Sequence, residues 1–293
     1  SASYTADIAK KIFEKYADIK CEVFLASEFR YQKHFYDKKT LVIFISQSGE
    51  TADTLEALRI TKNDGIDTLA IVNVVGSSIA REAKKVLYIK AGCEIAVATT
   101  KAFTAQYLLL VLIALKMAGI NDLSNFNKIN KNLTKVFEID YKSYAKKIYK
   151  NSSAFFIGRG IDYGLCEEGS LKLKEISYIN SSAFASGELK HGTISLIEEK
   201  TPVISIITDK DLALKTISNI KEVHTRGAYS LFITSLNLTG DFYDDIINFP
   251  HIDEIIDPIL VVASLQLLAY NVALLKGEDI DKPRNLAKSV TVE

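Results

Sequence analysis

Ser46-Gln47-Ser48-Gly49-Glu50-Thr51 is a short polar segment that separates a strand pattern from a helix pattern. It follows an uninterrupted apolar run at residues 41–45 and precedes a helical pattern that continues to about Asp64. An apolar run rich in β-branched residues is typical of a strand buried on both faces of a parallel sheet. The sequence therefore predicts a central strand, a short polar turn and a helix.

The polar turn between this strand and this helix predicts an anion site. It places backbone N–H groups and the hydroxyls of Ser46, Ser48 and Thr51 around the positive end of a helix, where phosphate commonly binds. The turn lacks the lysine of the Walker loop and does not follow the G-x-G-x-x-G spacing. Hydroxyls would therefore hold the phosphate, which favours a small sugar phosphate over a nucleoside triphosphate. An ordinary capped turn without a ligand is the alternative.

The composition is that of a typical globular protein. Of 293 residues, 48% are hydrophobic and 25% are charged, and the net charge is zero, which gives no electrostatic support for a nucleic-acid or acidic-membrane partner. Three scattered cysteines (Cys21, Cys93 and Cys166) lack the spacing of metal ligands, so we expect reduced thiols, no metal, no other cofactor and a cytoplasmic protein. The apolar segments 108–118 and 259–275 are too short or too polar to span a membrane, and no signal peptide is expected.

Strands and helices alternate along the chain, which predicts the α/β class with parallel sheets. The predicted helices lie at residues 6–17, from the polar turn to about 64, at 100–117, 163–178 and 259–275, and the predicted strands at 21–26, 41–45, 68–73, 86–89, 154–157, 203–207 and 231–234. A shift of 162 residues lays 41–46 on 203–208 and 69–73 on 231–235. Such a repeat indicates a duplicated domain.

The repeat and the polar, Asn/Lys-rich stretch from Asn121 to Asn132 lead to three expectations about the domains. The first domain is expected at residues 1–130, the second at 131–278 and an irregular tail at 279–293. The counterpart of strand 154–157 would lie before Ser1, so the chain is expected to be cut from a longer one. In the second half, the loop Thr208-Asp209-Lys210-Asp211 replaces the polar turn, and its aspartates would repel a phosphate.

The helix at residues 163–178 carries a charged stripe between apolar positions. Glu168, Lys172 and Glu175 follow the spacing i, i+4, i+7 and therefore share one face. One interpretation is a salt-bridge ladder at the edge of the core. The other is a carboxylate pair with a lysine that adjusts the carboxylate pKa values, which suits proton transfer on carbon.

Two further groups are candidates for chemistry. His191 lies in a polar loop, where it could act as an acid or base or have only a structural role. The tail could be a frayed end, or it could fold over a site with Lys288 as its reactive group.

Five motifs occur in the order found in the sugar isomerase (SIS) domain family, and together they resemble the isomerase half of the glucosamine-6-phosphate synthases. They are the polar turn extended to Thr54, Glu-Ile-Ala-Val-Ala-Thr-Thr-Lys-Ala-Phe at 94–103, Glu-Gly-Ser-Leu-Lys-Leu-Lys-Glu at 168–175, Gly-Glu-Leu-Lys-His-Gly at 187–192 and Pro-Arg-Asn-Leu-Ala-Lys-Ser-Val-Thr-Val-Glu at 283–293. The resemblance implies two Rossmann-like SIS domains, each a three-layer αβα sandwich with a parallel sheet, and a C-terminal tail that closes over the site.

The resemblance also implies an activity, the conversion of fructose 6-phosphate and ammonia into glucosamine 6-phosphate in a site shared between the two subunits of a homodimer. Lys288 would form a Schiff base with C2, Glu175 would carry the proton between C1 and C2, and Glu168 and Lys172 would complete the network around Glu175. His191 would open the sugar ring from the neighbouring subunit. The matched motifs assign the phosphate to Ser46, Gln47, Ser48 and Thr51, and the sugar to Val97, Ala98, Thr99 and Ala287.

Three departures from the family pattern are visible. The glutaminase domain of the full-length enzymes has no counterpart in this sequence, so we expect it in a longer chain and expect no glutamine hydrolysis here. A phosphate-contacting serine of the family falls on Ala2, and Thr99 stands where a serine is usual. The alternatives are a stand-alone SIS-type deaminase or deglycase, a non-catalytic sugar-phosphate-sensing module, and a structural protein with an empty turn.

Overall fold

The computed structural model describes residues 1–288 as two compact units. The first unit contains Ser1–Gly119 together with residues 284–288, and the second contains Ile120–Pro283. Each unit is an α/β structure in which every pair of neighbouring strands is parallel. The predicted fold class is therefore confirmed. The last part of the predicted tail, residues 289–293, lies outside the described residues.

The first unit is built on a three-stranded sheet. Its elements are α1 (Ala2–Ala17), α2 (Ala26–Phe29), β1 (Leu41–Ser46), α3 (Ala52–Asn63), β2 (Asp67–Val72), α4 (Ser78–Glu82), β3 (Lys85–Tyr88) and α5 (Lys101–Met117). The strand order is β1-β2-β3. Phe44, Ala70 and Val72 pack against Ala57 and Leu58 of α3, while α1 packs along α5 and contacts β1.

Two strand predictions in this unit are wrong. Residues 41–45 do form a strand, but β1 lies at the edge of the described sheet and the side chain of Leu41 is 46% exposed, so it is neither central nor buried on both faces. The central strand is β2, which pairs with both neighbours. Residues 21–25 form no strand, and the predicted segment ends in α2 instead. Apolar composition alone does not report whether a strand has neighbours on both sides.

The second unit is built on a five-stranded sheet with the order β5-β4-β6-β7-β8. Its elements are α6 (Ile129–Phe137), α7 (Tyr141–Ile148), β4 (Ser153–Gly158), α8 (Ile161–Ser177), β5 (Asn180–Ala185), β6 (Pro202–Ile207), α9 (Ala213–His224), β7 (Tyr229–Thr234), β8 (Asp245–Asn248) and α10 (Asp257–Lys276), with short 3-10 helices at Ser124–Lys128, Leu189–His191 and Thr193–Leu196. The 162-residue shift places β1 within one residue of β6.

Helices cover both faces of the second sheet. Phe155 and Ile157 of β4 pack with Ile220 and Val223 of α9 on one face. On the other face, Gly169 of α8 lies so close to Leu265 of α10 that an added Cβ would be 2.9 Å from it. Among the described residues, α10 is the one helix long and apolar enough to cross a membrane, but it packs against α8 and α7. That helix is therefore the core helix of this unit.

Asp162 joins the first turn of α8 to the end of β6. Its carboxylate accepts a hydrogen bond from the Thr208 N–H at 2.9 Å and one from the Thr208 hydroxyl at 2.6 Å. The pKa of Asp162 is raised to about 6, mainly by burial and to a lesser extent by the charge of Asp209, while the hydrogen bonds from Thr208 and from the Asp209 N–H oppose this shift. In the unfolded chain this carboxyl group would titrate near 3.8.

We expect this buried carboxyl group to make the second unit less stable as the pH rises. Because the folded state holds the proton more tightly, Asp162 stabilises the fold below pH 4 and loses that contribution as the pH passes 6. The loss between pH 4 and pH 7 is about 2 kcal/mol for a pKa shift of roughly two units. The free energy of unfolding of Asp162→Asn, relative to that of the wild type, should therefore increase by about 2 kcal/mol between pH 4 and pH 7. Urea unfolding at both pH values measures it. Asp211→Asn is the control, because it removes an exposed carboxylate from the same loop that is not among the causes of the Asp162 shift, and a difference independent of pH would contradict the assignment.

Candidate functional site

The polar turn between β1 and α3 is held in shape by its own side chains. The Ser46 hydroxyl accepts a hydrogen bond from the Gly49 N–H at 3.0 Å and lies 3.0 Å from the Thr51 hydroxyl. The Ser48 hydroxyl accepts one from the Glu50 N–H at 3.2 Å. The predicted phosphate-binding hydroxyls are thus gathered in one turn at the carboxyl end of a strand.

The N-terminus of α3 at this turn has no side-chain cap from its N-cap residue. Thr51 is the N-cap residue, and its side chain makes no capping hydrogen bond to the helix. The first N–H groups of a helix lack acceptors within it, so they attract an anion. Gln47 is half-buried, and its carbonyl accepts a hydrogen bond from the Asn73 N–H at 3.1 Å.

The residues at the start of α4 hold the polar turn through hydrogen bonds. The Gly49 carbonyl accepts the Ile79 N–H at 3.0 Å, and a Glu50 carboxylate oxygen accepts the Ser78 N–H at 2.8 Å. The Ser78 hydrogen bonds lower the pKa of Glu50, so this contact persists in mild acid. Gly49 has φ +68°, and an added Cβ would lie 2.1 Å from the Ser77 hydroxyl oxygen. Only glycine fits this position.

We expect Gly49→Ala to weaken phosphate binding strongly. The new methyl group would collide with Ser77, and the positive φ costs a further 1–2 kcal/mol or so for a residue with a Cβ. The turn must then move away from the geometry that gathers the hydroxyls, and affinity for fructose 6-phosphate in calorimetry should fall at least about tenfold. The double variant Gly49→Ala with Ser77→Gly should recover part of the loss, because it removes the clash and leaves only the strain in φ. Unchanged affinity in the single variant would show that the turn does not bind the ligand.

The segment before α5 contains the residues predicted to line a sugar. Ala98 is buried, while Val97 and Thr99 are half-buried. Glu94 begins this segment, and its carboxylate accepts hydrogen bonds from the N–H groups of Thr100 at 2.9 Å and Ala102 at 3.3 Å. Glu94 therefore caps α5, and it joins the residue three positions before the predicted lining segment to the residue that directly follows it.

Lys288 of the tail lies against the same carboxylate. Its Nζ donates to Glu94 Oε2 at 2.7 Å, and the two side chains are 25% and 3% exposed. Burial alone would raise the pKa of Glu94, but the Lys288 ion pair and the two backbone N–H groups outweigh burial and lower it. Ala287, the tail residue predicted to lie near the sugar, is exposed. The first unit therefore contains the predicted phosphate turn, the predicted lining residues and the predicted reactive lysine.

The charged stripe of α8 lies in the core of the second unit. Lys172 Nζ is 2.6 Å from Glu175 Oε2 and 3.5 Å from Glu168 Oε1. The side chains of Lys172 and Glu168 are 2% and 1% exposed, whereas that of Glu175 is 21% exposed. Glu175 is thus the most exposed member of the stripe. Its carboxylate contacts the Lys172 ammonium group, which in turn lies near the buried Glu168 carboxylate.

His191 lies at the end of a 3-10 helix in the second unit. Its side chain is exposed, and its backbone N–H donates a hydrogen bond to the Glu188 carbonyl at 3.0 Å. The predicted loop position agrees with this placement. No group of three or more histidine, cysteine, aspartate or glutamate side chains within residues 1–288 is arranged to hold a metal ion.

Sequence reasoning missed Glu94 as a partner of Lys288. The two residues are 194 positions apart, so no local pattern connects them. One signal was available in the sequence. Glu94 is the single carboxylate in a stretch of small and apolar residues that lies just before a predicted helix.

Comparison with known families and proteins identifies close relatives. The SIS domain family matches two segments, residues 1–116 and 147–276. Curated proteins called glutamine–fructose-6-phosphate aminotransferase [isomerizing] are 47% identical in Clostridium acetobutylicum and 48% identical in Caldanaerobacter subterraneus, in each case over 100% of this chain and 50% of the relative. The chain therefore spans about half the length of these curated relatives.

Two solved structures are also similar. The C-terminal domain of glucosamine-fructose-6-phosphate aminotransferase from Francisella tularensis is 36% identical with a TM-score of 0.91, over 96% of this chain and 84% of that one. A glucosamine-6-phosphate deaminase from Thermotoga maritima is 26% identical with a TM-score of 0.85, over 99% of this chain and 88% of that one.

Proposed function

Because this chain belongs to the SIS domain family, with two matching segments, we propose that it is the isomerase half of a glutamine–fructose-6-phosphate aminotransferase. It would convert fructose 6-phosphate and ammonia into glucosamine 6-phosphate. The whole-chain similarity to proteins of that name, and to the C-terminal domain from Francisella tularensis, supports this proposal over other activities of the family.

The observation that carries the proposal is the burial of the α8 stripe. A salt-bridge ladder on a helix surface costs little, but a lysine and a glutamate with almost no exposed surface cost several kcal/mol in lost hydration. Groups with such a cost are concentrated at sites that move protons. Glu175 alone of the three keeps contact with the outside, as a carboxylate that accepts and returns a proton must.

The proposed steps use residues of the matched motifs. The hydroxyls of Ser46, Ser48 and Thr51, with Gln47, hold the phosphate. His191, supplied by the neighbouring subunit of a homodimer, opens the sugar ring. The neutral Lys288 amine attacks C2, a C–N bond forms, and the C2 oxygen leaves as water, which gives an imine that serves as an electron sink. Ammonia then displaces the lysine at C2.

Glu175 completes the proposed reaction. It takes a proton from C1 and returns it to C2, with Lys172 and Glu168 holding its carboxylate in place. The same longer chain would contain the glutaminase domain that supplies ammonia, since the relatives are twice as long as this chain.

Proton NMR of fructose 6-phosphate with this protein in D2O tests the proposal. Without ammonia, Glu175 can move the proton on the open-chain ketose itself, which keeps its C2 oxygen. The expected product is therefore glucose 6-phosphate that carries deuterium at C2, because the proton on Glu175 exchanges with solvent. A sugar that binds without changing would rule out catalysis and favour a sensing role.

A deaminase is the second candidate, and the similarity to the Thermotoga maritima deaminase, with 26% identity and a TM-score of 0.85, favours it. Incubation with glucosamine 6-phosphate distinguishes the two directions. Rapid release of ammonia, with no amination of fructose 6-phosphate at high ammonia concentration, would support the deaminase.

A further inference from the structure

Glu94 is a buried carboxylate to which the proposed reaction assigns no step. Its two oxygens have different partners. One accepts the N–H groups of Thr100 and Ala102, and the other accepts Lys288 Nζ at 2.7 Å. A single carboxylate therefore connects the start of α5 with the tail.

We propose that Glu94 is the positioning residue that places the Lys288 amine, an inference that rests on the proposed Schiff-base role of Lys288. Residues 284–288 form neither helix nor strand, so the tail itself does little to fix its last described side chain. A lysine side chain has four rotatable bonds and loses rotamer entropy when it is held in one place. A charge-assisted hydrogen bond to a fixed carboxylate offsets that loss.

The carboxylate is fixed because it is also the cap of α5. Its hydrogen bond to the Thr100 N–H anchors the residue that directly follows Thr99, the last residue of the proposed sugar-lining segment. The Glu94 carboxylate thus positions both the Lys288 amine and the lining segment. Misplacement of a reacting group by about 1 Å can cost a hundredfold in rate, so this shared anchor has a large expected effect.

The contact favours placement over proton transfer as the role of Glu94. The lowered pKa of Glu94 makes it a weak proton acceptor and keeps it ionised at neutral pH, so the ion pair holds Lys288 in the resting state. The ammonium group then loses its proton to solvent, and the neutral amine attacks C2 from that position. Glu94 then acts through Lys288, and we assign it no bond to the sugar.

Glu94→Gln separates the two tasks of this side chain. Glutamine keeps an oxygen that can accept the Thr100 N–H, but it removes the charge that holds Lys288. Glu82→Gln is the matched control, because it makes the same change and breaks an ion pair with Arg59 in the same unit that does not involve the tail.

The first measurement needs no sugar. Acetylation of the Lys288 amine by a small activated ester, followed by peptide mass spectrometry, should be about tenfold faster in Glu94→Gln than in the wild type or in Glu82→Gln, because an ion-paired amine reacts slowly. Lys101 is the internal reference, since its Nζ donates to the Cys93 carbonyl at 2.7 Å beside Glu94. An unchanged rate at Lys288, or an equal rise at Lys101 that indicates general loosening, would overturn the proposal.

The second measurement uses fructose 6-phosphate and borohydride, which reduces an imine to a stable amine. The wild type should give an adduct on Lys288, Glu82→Gln should give the same amount, and Glu94→Gln should give at least tenfold less at the same sugar occupancy. Equal adduct in Glu94→Gln overturns the positioning role. Absence of an adduct in the wild type would instead overturn the proposed function, and the acetylation rates would still decide whether Glu94 places Lys288.

Discussion

Glu175→Gln is expected to abolish deuterium incorporation at C2 while leaving sugar binding intact. Glutamine has the same shape and can still accept a hydrogen bond from Lys172, which lies 2.6 Å away, but it cannot take up a proton at neutral pH. Loss of a general base typically costs about 10²–10⁴ in rate. Proton NMR in D2O measures the exchange, and calorimetry measures the binding of fructose 6-phosphate.

The two proposed steps can be separated in this variant. If Glu175 acts only after the imine has formed, borohydride should still trap the sugar on Lys288 in Glu175→Gln. Glu167→Gln is the matched control, since Glu167 lies on the same helix but outside the charged stripe. Exchange within threefold of the wild type in Glu175→Gln would show that another group moves the proton.

Local patterns in the sequence contained the parts of the candidate site that depend on spacing. The i, i+4, i+7 spacing on one helix placed Glu168, Lys172 and Glu175 on a common face, and in the structure Glu168 and Lys172 are buried while Glu175 is partly exposed. The polar turn was predictable for the same reason, because an apolar strand, hydroxyls and a glycine are all within a few residues.

Features that depend on distant partners were not predictable. Strand β5 begins Asn180-Ser181-Ser182, and β8 begins with Asp245, so neither has a strand-like composition. Pairing with β4 and β7 makes them strands. The edge position of β1 and the contact between Glu94 and Lys288 are of the same kind, because both are decided by chain segments far away in sequence.

Lys172→Met is expected to destabilise the second unit severely. The ammonium group is the partner that compensates the buried Glu168 carboxylate, which lies 3.5 Å from it and is almost completely buried. Removing one member of a buried ion pair costs about 3–5 kcal/mol, because the remaining charge stays without hydration. Amide hydrogen exchange in α8, read by mass spectrometry, should accelerate by roughly two to three and a half orders of magnitude.

Glu168→Gln combined with Lys172→Met tests the cause of that loss. If the penalty comes from the uncompensated charge, neutralising Glu168 should restore at least half of the stability, since replacing a whole buried pair is often nearly neutral. If it comes instead from the packing of the lysine stem, the double variant should be no more stable than Lys172→Met alone. Recovery of stability without recovery of deuterium exchange at C2 would separate the two roles of the stripe. It would mean that the second unit folds without these charges, and that the cost of burying them is sustained for the reaction of Glu175.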